Sequence, residues 1–424
     1  MRSAPRRRSA TALALVLLLT AGACTRSGGD HPALRAPATP SGRHLAPGVV
    51  YEEFTSDGPA GPVRVAALRI APDAKVRLAG VHGRQLATTQ TVRDLARQTG
   101  ALAAVNGSYF DIRGGKGFSG YEGDPTGLYA EGDQVLSEAR NDSAALVLGY
   151  RDGRLDARIT EVSTPGRITA DDGATRTLDG VNRLAGRLRP CGGVDGHRLF
   201  SAGRHVMNDP RTGLCAVPDE IVAFTPQWGV DTPSGARGSV EAVLSEDGTV
   251  RRLRSPAGGP VPRRARVLYG IGEGADWLRE HARAGTRPAA AMPMNGPDGQ
   301  GLSGPVDSVI GGGTRLLTDG RTSIPGRATV TADRAPRTLA GVTKDGSVLL
   351  VTLDGREPGV SEGATLPEAA DLLRSLGATD GVNLDGGGST TMVVDDRLRN
   401  RPRESRGDPV EERRISTAIA VLPH

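Results

Sequence analysis

Seven short apolar runs constrain this chain most. Residues 62–70, 144–148, 220–224, 306–310, 347–353, 390–394 and 417–422 each have the length and residue types of a strand. Turn signals such as Glu246-Asp247-Gly248 and Lys344-Asp345-Gly346 separate many of them. Helical patterns are few. The pattern predicts an α+β fold, mainly mixed or antiparallel sheet with a handful of helices.

Two of the helical stretches share a grammar. Residues 94–106 (DLARQTGALAAVN) align without a gap on residues 371–383 (DLLRSLGATDGVN), with identical residues at seven positions. In each, a short helix follows a Thr-rich cap (Thr91, or Thr365 with Pro367) and stops at a glycine, Gly100 or Gly377. A buried strand then ends in Val-Asn. The pair predicts an internal pseudo-repeat of a helix–Gly–strand unit. If it is one, Asn106 and Asn383 end equivalent strands, and the residues beyond them line one crevice.

Those residues carry chemistry. Gly107-Ser108-Tyr109-Phe110-Asp111 follows Asn106, and Leu384-Asp385-Gly386-Gly387-Gly388-Ser389-Thr390-Thr391 follows Asn383. Three glycines beside a carboxylate let backbone approach a ligand and offer N–H groups to an oxyanion, while the acid can serve as base or nucleophile. No Lys follows, so this is not a Walker loop, and the second glycine of a nucleophile elbow is missing. A tight turn holding a buried Asp is the plainer alternative.

The ends of the chain speak about location. Arg2, Arg6, Arg7 and Arg8 precede the apolar run 12–19 (ALALVLLL), which is too short to span a bilayer. Ala21-Gly22-Ala23-Cys24 then suits lipoprotein processing at Cys24, although Ala21-x-Ala23 is also an ordinary cleavage site. Residues 1–23 are therefore expected to be a signal peptide and 24–46 a flexible, lipid-anchored tether rich in Pro, Gly and Ser. The domain is expected at 47–424, with an inserted region at about 151–300. Four of the 53 basic residues lie in the signal, leaving 49 against 48 acidic ones. A near-neutral mature chain gives no footing for a nucleic-acid partner. The remaining cysteines, Cys191 and Cys215, are expected to form a disulfide in an oxidising compartment, within the insertion.

Four segments in order, AVNGSYFD (104–111), IGGGTRLLTDG (310–320), PRTLAGVTKDGSVLLVTLDGR (336–356) and GVNLDGGGSTTMVV (381–394), resemble the phosphodiester glycosidase family. The likeness runs from about residue 50 to the closing NRP (400–402) and ERRISTAIAVLP (412–423). It implies hydrolysis of a glycosyl-phosphodiester, with a cell-wall or extracellular glycan as partner. One departure is Ala335, where the family pattern has His before Pro-Arg-Thr. A role for that His in proton transfer is closed to this chain. The alternative reading is a surface lipoprotein that binds phosphorylated glycans without cleaving them.

Cleavage at an anomeric carbon needs a carboxylate to meet oxocarbenium character, and the phosphodiester charge needs a cationic clamp. Asp385 is the expected principal carboxylate, with Asp111 or Glu122 as partner. Arg337 and Arg356 are the expected clamp, with Arg334 near by. Each arginine has a plain alternative as a surface ion pair, and Glu122 as part of an exposed loop. Asn106, Asn383, Tyr109, Ser389, Thr390 and the glycines Gly386, Gly387 and Gly388 are the expected substrate contacts. Tyr109, Phe110, Phe118 and Tyr121 form an aromatic group able to stack on a sugar. No metal-ligand spacing occurs, so no cofactor is expected; structural calcium is left open.

Overall fold

The structure is a computed structural model that describes residues 33–38, 42–112, 122–139, 143–187, 189–190, 207–209, 214–324 and 333–424. Strand accounts for 42% and helix for 9%, with three helices among the described residues: Val92–Thr99, Glu273–His281 and Leu366–Ser375. The α+β reading built on a helix–Gly–strand pseudo-repeat is therefore overturned. This is a mainly β protein whose sheets are arranged like a four-bladed propeller. The cause is one of proportion. Both helices and their caps form, but each is short and lies over a sheet.

The caps follow the sequence closely. Thr91 Oγ1 accepts from Asp94 N at 3.0 Å, and Gly100 closes that helix at φ 68°. Thr365 and Glu368 form a reciprocal capping box, with Thr365 N donating to Glu368 Oε2 at 2.8 Å. The two strands that follow enter different environments. Ala378–Asn383 sits in an eight-stranded sheet between Arg337–Thr343 and Arg315–Thr318. Ala103–Asn106 sits in a five-stranded sheet between Met392–Val394 and Thr417–Pro423. Shared local grammar thus serves two unlike sheets.

Alternation explains how the large sheet packs. Strand Val348–Leu353 is buried along its whole length. Val348 and Leu350 join one core with Leu68, Ile70 and Val382, while Leu349, Val351 and Leu353 join another. Helix Leu366–Ser375 covers the second core with Leu366, Ala369, Ala370, Leu372 and Leu373. Side chains alternating at period two thus fill two faces from one run of apolar residues.

Two other five-stranded sheets complete the frame. One contains Tyr129–Glu131, Ser308–Gly311 and Ala144–Arg151; the other contains Ile221–Phe224, Val267–Gly270 and Val240–Leu244. Near the N-terminus, Leu34 is fully buried in the second core, Arg35 N donates to Ser56 Oγ, and Arg43–Ala46 forms a strand. Cys24, Cys191, Phe118 and Tyr121 lie outside the described residues, as does the side chain of Cys215. Its backbone pairs with Arg189.

Candidate active site

Asn106 and Asn383 end strands of different sheets, yet the segments beyond them meet. Asn106 Nδ2 donates to the Asp385 carbonyl at 2.6 Å, and Asp385 N donates to the Gly107 carbonyl at 3.3 Å. Asn106 Oδ1 accepts from Thr338 Oγ1 at 2.7 Å and from Thr391 N at 3.0 Å. Asn106 is thus the buried tie that locks the Asp385 loop to the first segment. Asn383 Nδ2 donates to Tyr109 Oη at 3.0 Å and to its neighbour's carbonyl, that of Leu384, at 2.9 Å. Tyr109 Oη donates to that same carbonyl at 3.1 Å. Asn383 Oδ1 is buried with no hydrogen-bond partner among the described residues.

The glycines form a tight 3-10 turn, Gly387–Ser389, and Gly387 takes φ 62°. Its lack of a side chain matters. A Cβ there would stand 3.1 Å from Arg356 Nη2, so the guanidinium lies against the turn. Gly387 N donates to the Pro336 carbonyl at 2.9 Å, which brings Arg337 alongside Gly386. Ser389 and Thr390 are fully buried beneath the turn, whereas Asp385, Gly386 and Gly387 are half-buried.

Two cations flank this loop, and neither forms an ion pair among the described residues. Arg337 donates through Nε to the Ala364 carbonyl at 3.0 Å and through Nη2 to the Asp333 carbonyl at 2.6 Å. Arg356 donates through Nη1 to the carbonyls of Arg403, at 2.8 Å, and Glu404. Burial pulls the pKa of both below the usual arginine value, and the Arg356 charge adds to the effect on Arg337. Arg334 differs. Its fork takes both oxygens of Glu368, at 2.8 and 2.6 Å, and serves the fold.

Asp111 and Glu122 come together in a crevice of about 460 Å³, shared with Phe110, Ile112, Glu404 and Arg413. Ile112 is 62% exposed there, an apolar edge beside the acids. Glu404 and Arg413 connect this crevice to the glycine turn, for Arg413 Nη1 donates to Ser389 Oγ at 3.1 Å and its Nη2 pairs with Glu404. The sequence reading did not single out either residue. Their signal was a charge-dense stretch, RPRESRGDPVEERR (401–414), which resembles any solvated loop. Asp354 points elsewhere: it accepts from Arg401 N at 2.8 Å and Asn400 Nδ2 at 3.1 Å, and burial raises its pKa. No group of three or more metal-ligating side chains occurs among the described residues. No helix among them is long and apolar enough to cross a membrane.

The chain is similar to several known proteins. Residues 238–422 match the phosphodiester glycosidase family. Over 87 residues the chain is 33% identical to the N-acetylglucosamine-1-phosphodiester alpha-N-acetylglucosaminidases of Mus musculus and Bos taurus. That stretch covers 20% of this chain and 16% of each relative. A solved Burkholderia pseudomallei protein, described as exported, shares 28% identity at a TM-score of 0.72, covering 85% of this chain and 74% of that one. A hypothetical protein from Synechocystis has a TM-score of 0.65 at 19% identity, over 89% of this chain and 62% of its own, and so shares the fold. Three of the four motif segments fall inside the matched span, and the fourth, 104–111, is tied to it through Asn106. The resemblance carried by those motifs therefore holds over residues 238–422, the span that matches the phosphodiester glycosidase family.

Proposed function

We propose that this chain is an exported hydrolase that cleaves a glycosyl-phosphodiester in a cell-wall or extracellular glycan. The observation that carries the reading is the pair of partly buried arginines, Arg337 and Arg356, beside the Asp385 loop. Among the described residues each donates to backbone carbonyls and to no carboxylate. Two such cations close together, held without a carboxylate, offset their burial when an anion sits between them. A phosphodiester supplies one negative charge and two donor-seeking oxygens.

In this reading Arg337 and Arg356 hold the phosphate and the glycine turn lets the ligand approach the backbone. The Asp385 carboxylate meets the developing oxocarbenium ion at the anomeric carbon. Phosphate leaves readily, so the demand for acid assistance is smaller than with a sugar leaving group. Asp111 or Glu122 in the adjoining crevice then activates water or completes the carboxylate pair. Asn383 and Tyr109 hydrogen-bond sugar hydroxyls, and Phe110 with Ile112 offers an apolar face to the ring. The reaction is written without a metal or organic cofactor.

Ala335 favours a second reading, a surface lipoprotein that binds the phosphorylated glycan without turnover. Both readings place the chain outside the cytoplasm, anchored through lipid at Cys24, with Cys191 and Cys215 joined as a disulfide. The deciding experiment is an assay of the chain from residue 25 onward against a panel of sugar-1-phosphodiesters, beside its Asp385→Asn variant. That start keeps the buried Leu34 in place. Turnover by the first, reduced on the order of a thousandfold in the variant with binding kept, supports the enzyme. Binding without turnover by either supports the lipoprotein, and neither binding nor turnover overturns both.

A further inference from the structure

The acids of the crevice rest on a strap, residues 122–127, that lies against residues 108–111. Asp111 N donates to the Asp124 carbonyl at 2.8 Å, Thr126 N donates to the Tyr109 carbonyl at 2.9 Å, and Phe110 bridges Pro125. Glu122 begins this strap and Asp111 faces it. The strap thereby sets where both acids stand, and through Tyr109 it reaches Asn383.

The strap is pinned from behind by a residue far away in sequence. Arg187 is 5% exposed, and its Nη1 donates to the Pro125 carbonyl at 2.8 Å and lies 3.0 Å from Asp124 Oδ1. Arg187 belongs to a buried chain of charge. Its Nη2 lies 3.9 Å from Glu138 Oε1, which pairs with Arg183 Nε at 2.5 Å. Arg183 in turn forks onto Glu220 at 2.8 Å for both bonds. Glu220 enters strand Ile221–Phe224, which pairs with Val267–Gly270 in a five-stranded sheet that also holds Val240–Leu244. Nothing in the reaction proposed above calls for Arg187, and it lies outside residues 238–422.

We propose that Arg187 is the positioning residue for the acidic wall of the crevice, gripping the strap at Asp124 and Pro125 so that Asp111 and Glu122 face the Asp385 loop. The role rests on the reading of that crevice as catalytic; the grip itself does not. A guanidinium suits the task because Nη1 serves the Pro125 carbonyl and the Asp124 carboxylate while Nη2 faces Glu138, a spread that a single ammonium nitrogen does not have. The pKa of Asp124 is pushed up to about 6 by burial, against the lowering effect of Arg187 and Arg183, with Glu138 raising it further. Loss of the Arg187 charge moves that titration higher still.

The test uses the chain from residue 25 with Arg187→Gln, Arg187→Lys and Asp124→Asn, followed by hydrogen exchange in peptides covering 107–112 and 122–127. Exchange there is expected to rise about tenfold or more in Arg187→Gln and less in Arg187→Lys, with the Ala378–Asn383 strand unchanged. On a substrate, kcat is expected to fall about tenfold or more in Arg187→Gln while KM stays within about threefold, because the acids are displaced and the phosphate clamp is not. Should Arg187→Gln fail to fold, Arg187→Ala together with the isosteric Asp124→Asn replaces it, since that pair removes both the Pro125 bond and the charge on Asp124, and its strap exchange decides. Unchanged exchange in either folded form overturns the grip. A raised exchange with wild-type kcat overturns the positioning role. If the parent chain cleaves nothing, raised exchange leaves the grip standing and the catalytic reading falls alone.

Discussion

Arg183 is fully buried and Arg337 partly so, and their surroundings differ in kind. Around Arg183, Glu220 accepts two bonds, Glu138 a third, and the Asp179 and Leu184 carbonyls take the rest. Those carboxylates hold its pKa above the usual arginine value in spite of burial. Around Arg337 only carbonyls accept among the described residues, and burial lowers its pKa. A buried cation already matched by carboxylates serves the fold, whereas one left with neutral partners is suited to a charged ligand. The contrast separates the sheet around Ile221–Phe224 from the glycine loop, although both draw on the same residue type.

The sharpest way to break the contrast is to remove each arginine in turn. Arg183→Ala strands Glu220 and Glu138 in a dry setting, so it is expected to destabilise the fold by about 3–5 kcal/mol. Denaturant unfolding followed by circular dichroism measures this. Arg337→Ala is expected to change the same quantity by less than about 1 kcal/mol, since two carbonyls lose a donor and no carboxylate is left unmatched. Comparable losses for the two variants would erase the distinction.

A somewhat smaller effect comes from pH. The folded pKa of Asp124 is about 6 against an ordinary 3.8, so the folded state keeps a proton that the unfolded chain releases between those values. Stability from this group is therefore greatest below about pH 4 and falls as pH rises towards 6. It is flat above that. Two units at 1.36 kcal/mol each put the change on the order of 2–3 kcal/mol. Other groups titrate in the same range, so the informative quantity is the difference between the parent chain and Asp124→Asn at pH 4.5 and 7. An identical slope in both would show that Asp124 is not the buried acid described.

The sequence carried the local chemistry better than the global shape. Thr91, Thr365, Gly100 and Gly377 announced helix ends that formed where expected, because a cap depends on residues within one turn. The Asn106 and Asn383 segments do meet, but from strands of two unlike sheets and not as the equivalent ends of a repeat. What failed was the inference from likeness to a repeated unit. Which strand pairs with which is decided by apolar faces hundreds of residues apart, and no thirteen-residue window records that. Arg187, Glu404 and Arg413 escaped notice for a related reason. Each acts through a partner distant in sequence, and a charged residue in a loop looks the same whether it is solvated or clamped.

On the ligand side, the size of effect falls to one contact. Arg337→Ala is expected to weaken binding of a sugar-1-phosphodiester about tenfold to a hundredfold, as charge-assisted bonds to one anion are lost. Neutral glycosides are expected to lose far less, which calorimetry with a matched pair of ligands would reveal. Equal losses for both would assign Arg337 to general packing.

The smallest expected effect tests the Arg337 and Arg356 pair directly. Inorganic phosphate carries the anion without the sugar, so it can occupy the space beside Arg337 and Arg356 even when the glycan is unknown. A ligand present at about ten times its Kd stabilises the folded state by about 1.4 kcal/mol. In a chain of this size that corresponds to a rise in Tm of about one to three degrees. The rise should be absent in Arg337→Ala and in Arg356→Ala, because each removes one arm of the cradle. It should persist in Arg187→Lys, where the cradle is intact. Salt must be held constant, since bulk screening acts on exposed pairs such as Arg43 with Asp395 and on Arg97 with Asp396. Replacing phosphate by chloride at equal ionic strength separates the two. If chloride matches phosphate, or if the arginine variants keep the full shift, the two guanidinium groups do not form an anion site, and the contrast with Arg183 loses its functional meaning.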